Sequence, residues 1–210
     1  MSRIELDTSR LDTRRAIASP QVFHAAVEGC FPEVTSEKQR KLWRLDFLHE
    51  RMYLLLLSPE QPNFSSFSKQ FCTSGANGDV KDYYPLLRRI QTGQNFHFRL
   101  RGNPVHSVSS EKGVRGKIYA HVTVEQQRDW LIKKAPAYGF GLTYGKFDVI
   151  ETRLLRFWRA RNEQPVEIST AVYEGWLEVT DTNLFINALT QGIGRAKAYG
   201  CGLLTVMAQQ

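Results

Sequence analysis

Cysteine is scarce in this chain, long apolar runs are absent, and no Asp/Glu/His cluster has the spacing that holds a divalent metal. Cys30, Cys72 and Cys201 are odd in number and far apart, with no Cys-x-x-Cys pair to begin a zinc site, so buried free thiols are expected. The longest apolar run, Met52 to Leu57, is strand-sized and falls well short of the ~20 residues of a membrane span, so no membrane association is expected. The N-terminal stretch sets Glu5 inside its first apolar residues and lacks the hydrophobic segment of a secretory signal, which predicts a cytoplasmic location. With 42% hydrophobic and 23% charged residues over 210 positions, wholesale disorder, collagen and coiled coil are excluded.

What the chain has in excess is positive charge. Lys plus Arg number 28 against 21 Asp plus Glu, a formal net charge of +7 that points to an anionic partner. The excess is shared between the two halves and no basic tail carries it, so an anion site has to be assembled by the fold.

The periodicities give an order of elements. Ile4 to Leu6 reads as a short strand, followed by a polar arm and then a helix with Ser19 as N-cap and Pro20 at its first position. Phe23, Val27 and Cys30 form the buried stripe of that helix, and His24 lies on its shoulder. Lys41 to Phe47 and Arg51 to Leu57 read as a hairpin. Asn63 to Phe71, with Phe64, Phe67 and Phe71 in register, reads as a second amphipathic helix, and 75–79 as a loop. Asn95 to Arg101 alternates strictly, with Phe96, Phe98 and Leu100 on one face and His97, Arg99 and Arg101 on the other.

The second half appears with the same order: strand Lys117 to His121, helix Val124 to Lys134, a long hairpin Phe147 to Trp158 and Ile168 to Thr180, a helix capped by Asp181, and strand Leu203 to Met207. Two β-α-β-β-α-β units predict an α+β chain of two tandem ferredoxin-like domains, residues 1–105 and 106–210. That architecture serves RNA-binding modules, metabolic enzymes and metal chaperones alike, so it does not select a function.

The most distinctive local feature is the cluster Gly192-Ile193-Gly194-Arg195-Ala196-Lys197-Ala198-Tyr199-Gly200-Cys201-Gly202. It fails as a dinucleotide fingerprint, because Lys197 stands where glycine is required and a helix precedes it, and no Gly-Lys-Ser/Thr makes a Walker loop. Its glycines can bring bare backbone N–H groups and two cations against phosphates, or simply form a turn.

Together with Phe98-Arg99-Leu100-Arg101-Gly102-Asn103-Pro104, Leu42-Trp43-Arg44-Leu45, Tyr173-Glu174-Gly175 and Leu177, this cluster running into Leu203-Leu204 resembles the CasE-type CRISPR-associated endoribonucleases of subtype I-E, in the RAMP superfamily. The resemblance implies a protein that cuts the repeat of a CRISPR precursor transcript beside a hairpin, without metal or cofactor, leaving 2′,3′-cyclic phosphate and 5′-OH ends. It also implies that the protein retains the mature crRNA as a subunit of Cascade; a noncatalytic crRNA-binding subunit is the alternative. The isolated chain is expected to be monomeric.

The family's catalytic histidine lies on the first helix seven residues before a Phe, and His24 and Phe31 match. Where members carry Tyr and Lys helpers, Gln21 and Gly29 stand here, which leaves the helpers unidentified. Tyr138, Tyr144 and Tyr199 are the candidates to replace the tyrosine in space. An imidazole serves as acid or base near neutrality, which suits attack of a 2′-OH on the neighbouring phosphorus.

Arg153, Arg156, Arg159 and Arg161 fall within nine residues with no acid among them, and the family places such a hairpin in the groove of the RNA stem. Arginine fits that task through its forked donors, although a solvated basic face explains the same run. Arg99 and Arg101 are expected to touch RNA or to stabilise the contact between domains. Gly192, Gly194, Arg195, Lys197, Gly200 and Gly202 complete the expected RNA-binding set. His49, His97, His106 and His121 receive no role.

Overall fold

The computed structural model describes residues 1–31, 40–108, 116–159 and 163–208. The chain opens with β1 (Ser2–Leu6), runs through α1 (Leu11–Ala18) and α2 (Pro20–Glu28) into the hairpin β2 (Leu42–Leu48) and β3 (Arg51–Leu57), and continues to α3 (Ser65–Phe71) and a two-residue β4 (Asp79–Val80). Its sheet has the order β2-β3-β1-β4 with every pair antiparallel, which is the ferredoxin-like arrangement. His49 and Glu50, both at positive φ, form the tight two-residue turn of the β2–β3 hairpin.

After α4 (Tyr84–Leu87) the same arrangement recurs in β5 (Asn95–Gly102), α5 (Val124–Lys134), the hairpin β9 (Phe147–Phe157) and β10 (Val166–Val179), α6 (Thr182–Gln191) and β11 (Leu204–Ala208). The small hairpin β6 (Val105–Val108) and β7 (Lys117–Ala120) forms a separate two-stranded sheet, and β8 (Phe140–Gly141) pairs beside β9 along one edge of β10. In the second main sheet β5 lies between β11 and β10. The chain is therefore α+β, with two tandem ferredoxin-like units.

Several expectations need correction. The Asn95 to Arg101 strand does not close the first unit; it opens the second, because the closing strand of the first unit is the short exposed β4, which starts at the last residue of the segment read as a loop. The Lys117 to His121 strand stands outside both main sheets. Strand pairing thus separates the two sheets between Val80 and Asn95, ahead of the division expected at 105/106. The polar arm after β1 is also helical: α1 buries only Thr13 and Ala16, and the Thr13 hydroxyl donates to the Phe71 carbonyl at 3.0 Å.

Each unit has its own core. In the first, Phe23 packs among Trp43, Phe67 and Phe71 with ring centroids 5.2 to 6.2 Å apart, under the sheet residues Ile4, Leu54 and Leu56. In the second, Phe96, Phe98, Leu100, Phe140, Phe185 and Leu189 are buried together. At about 1.5 to 3 kcal/mol for each large apolar side chain removed from water, these clusters fix the helices to their sheets. A small third cluster, Leu42, Leu57 and Leu203, joins the units. All three cysteines are buried free thiols, as expected. Among the described residues no helix is long and apolar enough to cross a membrane.

Candidate active site at the seam between the domains

Arg44 joins the two sheets. It is 1% exposed, and all five of its N–H donors are used: two on the Asp46 carboxylate at 2.8 and 2.5 Å, one each on the carbonyls of Arg99 and Leu203 at 2.8 Å, and one on the Thr205 hydroxyl at 2.8 Å. Because β2 carries the cation, and β5, β11 and Leu203 just before β11 carry acceptors, this network sets the register of one domain on the other.

Beside that seam lies α2. Its Phe23 and Val27 are fully buried, and a rotation of 100° per residue turns His24 off the core face, leaving it half-buried at the domain boundary. Ser19 makes no side-chain cap, so Pro20 and the packing of Phe23 define where the helix starts.

The imidazole faces Tyr199 of the second domain, edge to face, with ring centroids 6.5 Å apart. Tyr199 ends a 3-10 turn, Lys197–Tyr199, and the flanking Ala196 and Gly200 both have positive φ, at 57° and 78°. Its ring packs on Phe157 at 4.9 Å, and its hydroxyl oxygen accepts a 2.8 Å hydrogen bond from Arg159 Nε. Of the three candidate tyrosines this one reaches His24. Tyr138 donates no proton there: its oxygen takes the Gly194 N–H at 3.2 Å, and Tyr144 is bonded to Asp129.

The glycine cluster owes its composition to close packing. A Cβ at Gly200 would lie 2.9 Å from the Trp43 ring, and one at Gly192 would lie 2.7 Å from a Leu42 methyl. Changing Gly200 to Ala therefore combines a left-handed backbone with a contact against an indole that cannot move. We expect a loss of about 2 kcal/mol in urea unfolding, together with slower RNA cleavage as Tyr199 shifts from His24. Gly194 and Gly202 also have positive φ. Arg195 is exposed, whereas Lys197 is half-buried and donates to the Gln191 carbonyl at 2.7 Å; burial, and secondarily Arg40, pulls its ammonium below the usual lysine range.

The arginines divide into two groups. Arg99 pairs with Glu174 at 2.9 Å and approaches Asp46 at 3.5 Å, and Arg101 pairs with Glu151 at 3.4 Å, its guanidinium pulled below the usual range chiefly by burial. These two belong to the seam. On the exposed hairpin, Arg153 pairs with Glu151 at 2.7 Å and Arg156 with Glu167 at 3.4 Å, whereas Arg159 has no carboxylate partner among the described residues. Arg161 lies outside the described residues. Trp158 is 54% exposed beside this run. Of the remaining histidines, His97 sits 4.0 Å from Glu174, and the His106 and His121 rings lie tilted to one another with centroids 4.7 Å apart.

Fold and site together define a two-domain ferredoxin-like protein whose seam apposes an imidazole, a phenol and a guanidinium that has no carboxylate partner among the described residues, a set suited to proton transfer on an anionic substrate. The chain belongs to the CRISPR-associated protein family, whose model matches residues 1–207. It is 25% identical over 98% of its length to the CRISPR-associated endoribonuclease Cse3 of Thermus thermophilus, of which 98% is covered. It is 26% identical to the Cascade subunit CasE of Escherichia coli, over 71% of this chain and 76% of that protein. Among solved structures, Thermus thermophilus Cse3 bound to an RNA representing a pre-cleavage complex matches with a TM-score of 0.80 at 25% identity, covering 98% of this chain and 97% of that one. The resemblance to CasE-type proteins read from the sequence is borne out.

Proposed function

We propose that this protein is a metal-independent endoribonuclease that cuts CRISPR precursor RNA within the repeat beside a stem-loop and keeps the mature crRNA as a subunit of Cascade. The observation that carries the reading is the placement of His24: a half-buried imidazole on a helix otherwise given to packing, at the domain seam opposite Tyr199, whose hydroxyl is bonded to Arg159. Scission needs the 2′-OH to lose its proton as its oxygen attacks phosphorus, and the 5′-oxygen to gain one as it leaves. An imidazole within reach of the 2′-OH serves the first transfer, and 2′,3′-cyclic phosphate and 5′-OH ends result.

Arg153, Arg156 and Arg159 present a basic edge to the RNA stem, and Arg195 and Lys197 extend it along the glycine turn. Gly192, Gly194, Gly200 and Gly202 shape that turn rather than grip RNA, since the Gly192, Gly194 and Gly202 N–H groups are bonded to Ala188, Tyr138 and Arg101. Arg99 and Arg101 act one step back, holding the seam. The protein works in the cytoplasm, and the isolated chain is monomeric.

Incubation with cognate repeat RNA in EDTA tests this. A single cut beside the hairpin is expected, with a cyclic phosphate on the upstream product and one turnover per enzyme, because the product stays bound through its stem. Affinity should fall steeply with salt as phosphate contacts are screened. Intact RNA that is nevertheless bound would leave a noncatalytic crRNA-binding subunit as the function.

A further inference from the structure

Gln21 offers an amide where an acid or base is wanted, Gly29 offers nothing, and the one other ionisable group on α2, Glu28, is paired with Lys41 at 2.8 Å. The second domain supplies one. We infer that Tyr199 is the general acid of the cleavage reaction, held and assisted by Arg159, an assignment that rests on the endoribonuclease reading above.

Three features of the geometry carry it. First, the Tyr199 ring meets the His24 ring at 6.5 Å across the seam, so their polar edges can reach the two sides of one phosphodiester, where the attacking and leaving oxygens stand in line. Second, Arg159 Nε fills one lone pair of the Tyr199 oxygen at 2.8 Å. A phenol that accepts from a cation turns its own proton outward, toward whatever acceptor enters the seam. Third, Arg159 is the hairpin arginine without a carboxylate partner among the described residues, so its charge is available to a phosphate oxygen beside Tyr199. The turn that positions the phenol is itself constrained by Ala196, Gly200 and the Phe157 contact.

The step balances. The 2′-oxygen forms a bond to phosphorus as its proton passes to His24. The bond from phosphorus to the 5′-oxygen breaks, and that oxygen takes the Tyr199 proton. Solvent then reprotonates Tyr199 and accepts the proton from His24.

The decisive experiment pairs Tyr199→Phe with two repeat RNAs, one natural and one with sulfur in place of the 5′-bridging oxygen, because a thiolate leaves without an acid. Phe keeps the ring on Phe157 and deletes only the hydroxyl. Tyr199→Phe is expected to cut natural RNA about 100-fold more slowly than the unaltered chain, with hairpin affinity within about twofold, and to cut the sulfur substrate within about threefold of it. His24→Ala should be slow on both substrates, since sulfur removes the need for an acid and not for a base. Equal slowing of Tyr199→Phe on both substrates would make the hydroxyl a positioning group, and no slowing on either would remove it from the reaction; both outcomes overturn the proposal. If His24→Ala cuts both at the full rate, the failure lies in the endoribonuclease assignment of His24 instead.

Discussion

Replacing His24 with alanine is expected to lower the single-turnover rate on cognate repeat RNA by about a thousandfold, roughly 4 kcal/mol of transition-state stabilisation. The fold should survive the change. His24 is half-buried and makes no described side-chain hydrogen bond, while the packing of α2 is supplied by Phe23 and Val27, so truncation falls among the small surface effects. Binding should survive as well, because the cations proposed to hold the RNA are on the β9–β10 hairpin and the glycine turn, and α2 carries no Lys or Arg. Rapid-quench cleavage and filter binding on the same RNA separate the two quantities. A variant that binds as before and barely cuts supports proton transfer by the imidazole; one that cuts at the original rate eliminates it. Arg159→Ala provides the contrast, since it should both weaken binding and reduce the salt dependence of affinity.

The fold was legible in the sequence wherever a stripe was long enough to have a period. Phe64, Phe67 and Phe71 mark α3, and all three are buried; Asp181 caps α6 by accepting from the Leu184 N–H at 2.9 Å. Alternation along Asn95 to Arg101 announces a strand but carries no information about its neighbours, and that is where the reading went astray. The strand that actually closes the first sheet is two exposed residues long, too short to have a period at all. Helix α1 escaped for a related reason: it is largely polar, no side chain caps it, and its buried positions are a threonine and an alanine. At the site, resemblance marked His24 and periodicity placed it on a shoulder, yet its partner on the other side of the seam is remote in sequence. Tyr199 stood inside a cluster whose glycines looked like phosphate ligands. Their close approach to Leu42 and Trp43 explains the same residues by packing, and the side chain presented by the turn then becomes the chemical feature.

Substituting Arg44 with alanine should be the most damaging single change outside the catalytic groups, costing about 3 to 5 kcal/mol in urea unfolding. The side chain is almost wholly enclosed, its partner Asp46 is 5% exposed, and every donor has an acceptor, so the loss has three parts. Asp46 keeps a charge in a dry setting with only Arg99 Nε nearby, at 3.5 Å. The Leu203 carbonyl and the Thr205 hydroxyl lose a donor that came from the other domain. The space left by the guanidinium then relaxes only in part. Removing the acid too should recover part of the loss, so the double variant Arg44→Ala with Asp46→Ala should be more stable than the sum of the two single changes by 1 kcal/mol or more. Because His24 belongs to one domain and Tyr199 to the other, loosening this junction should slow cleavage at temperatures where the chain is still folded. Far-ultraviolet circular dichroism and the cleavage rate, followed together on warming, would then part company, with activity lost first. An Arg44→Ala chain within 1 kcal/mol of the original, cutting normally, would mean that the domains are held by Leu42, Leu57 and Leu203 alone.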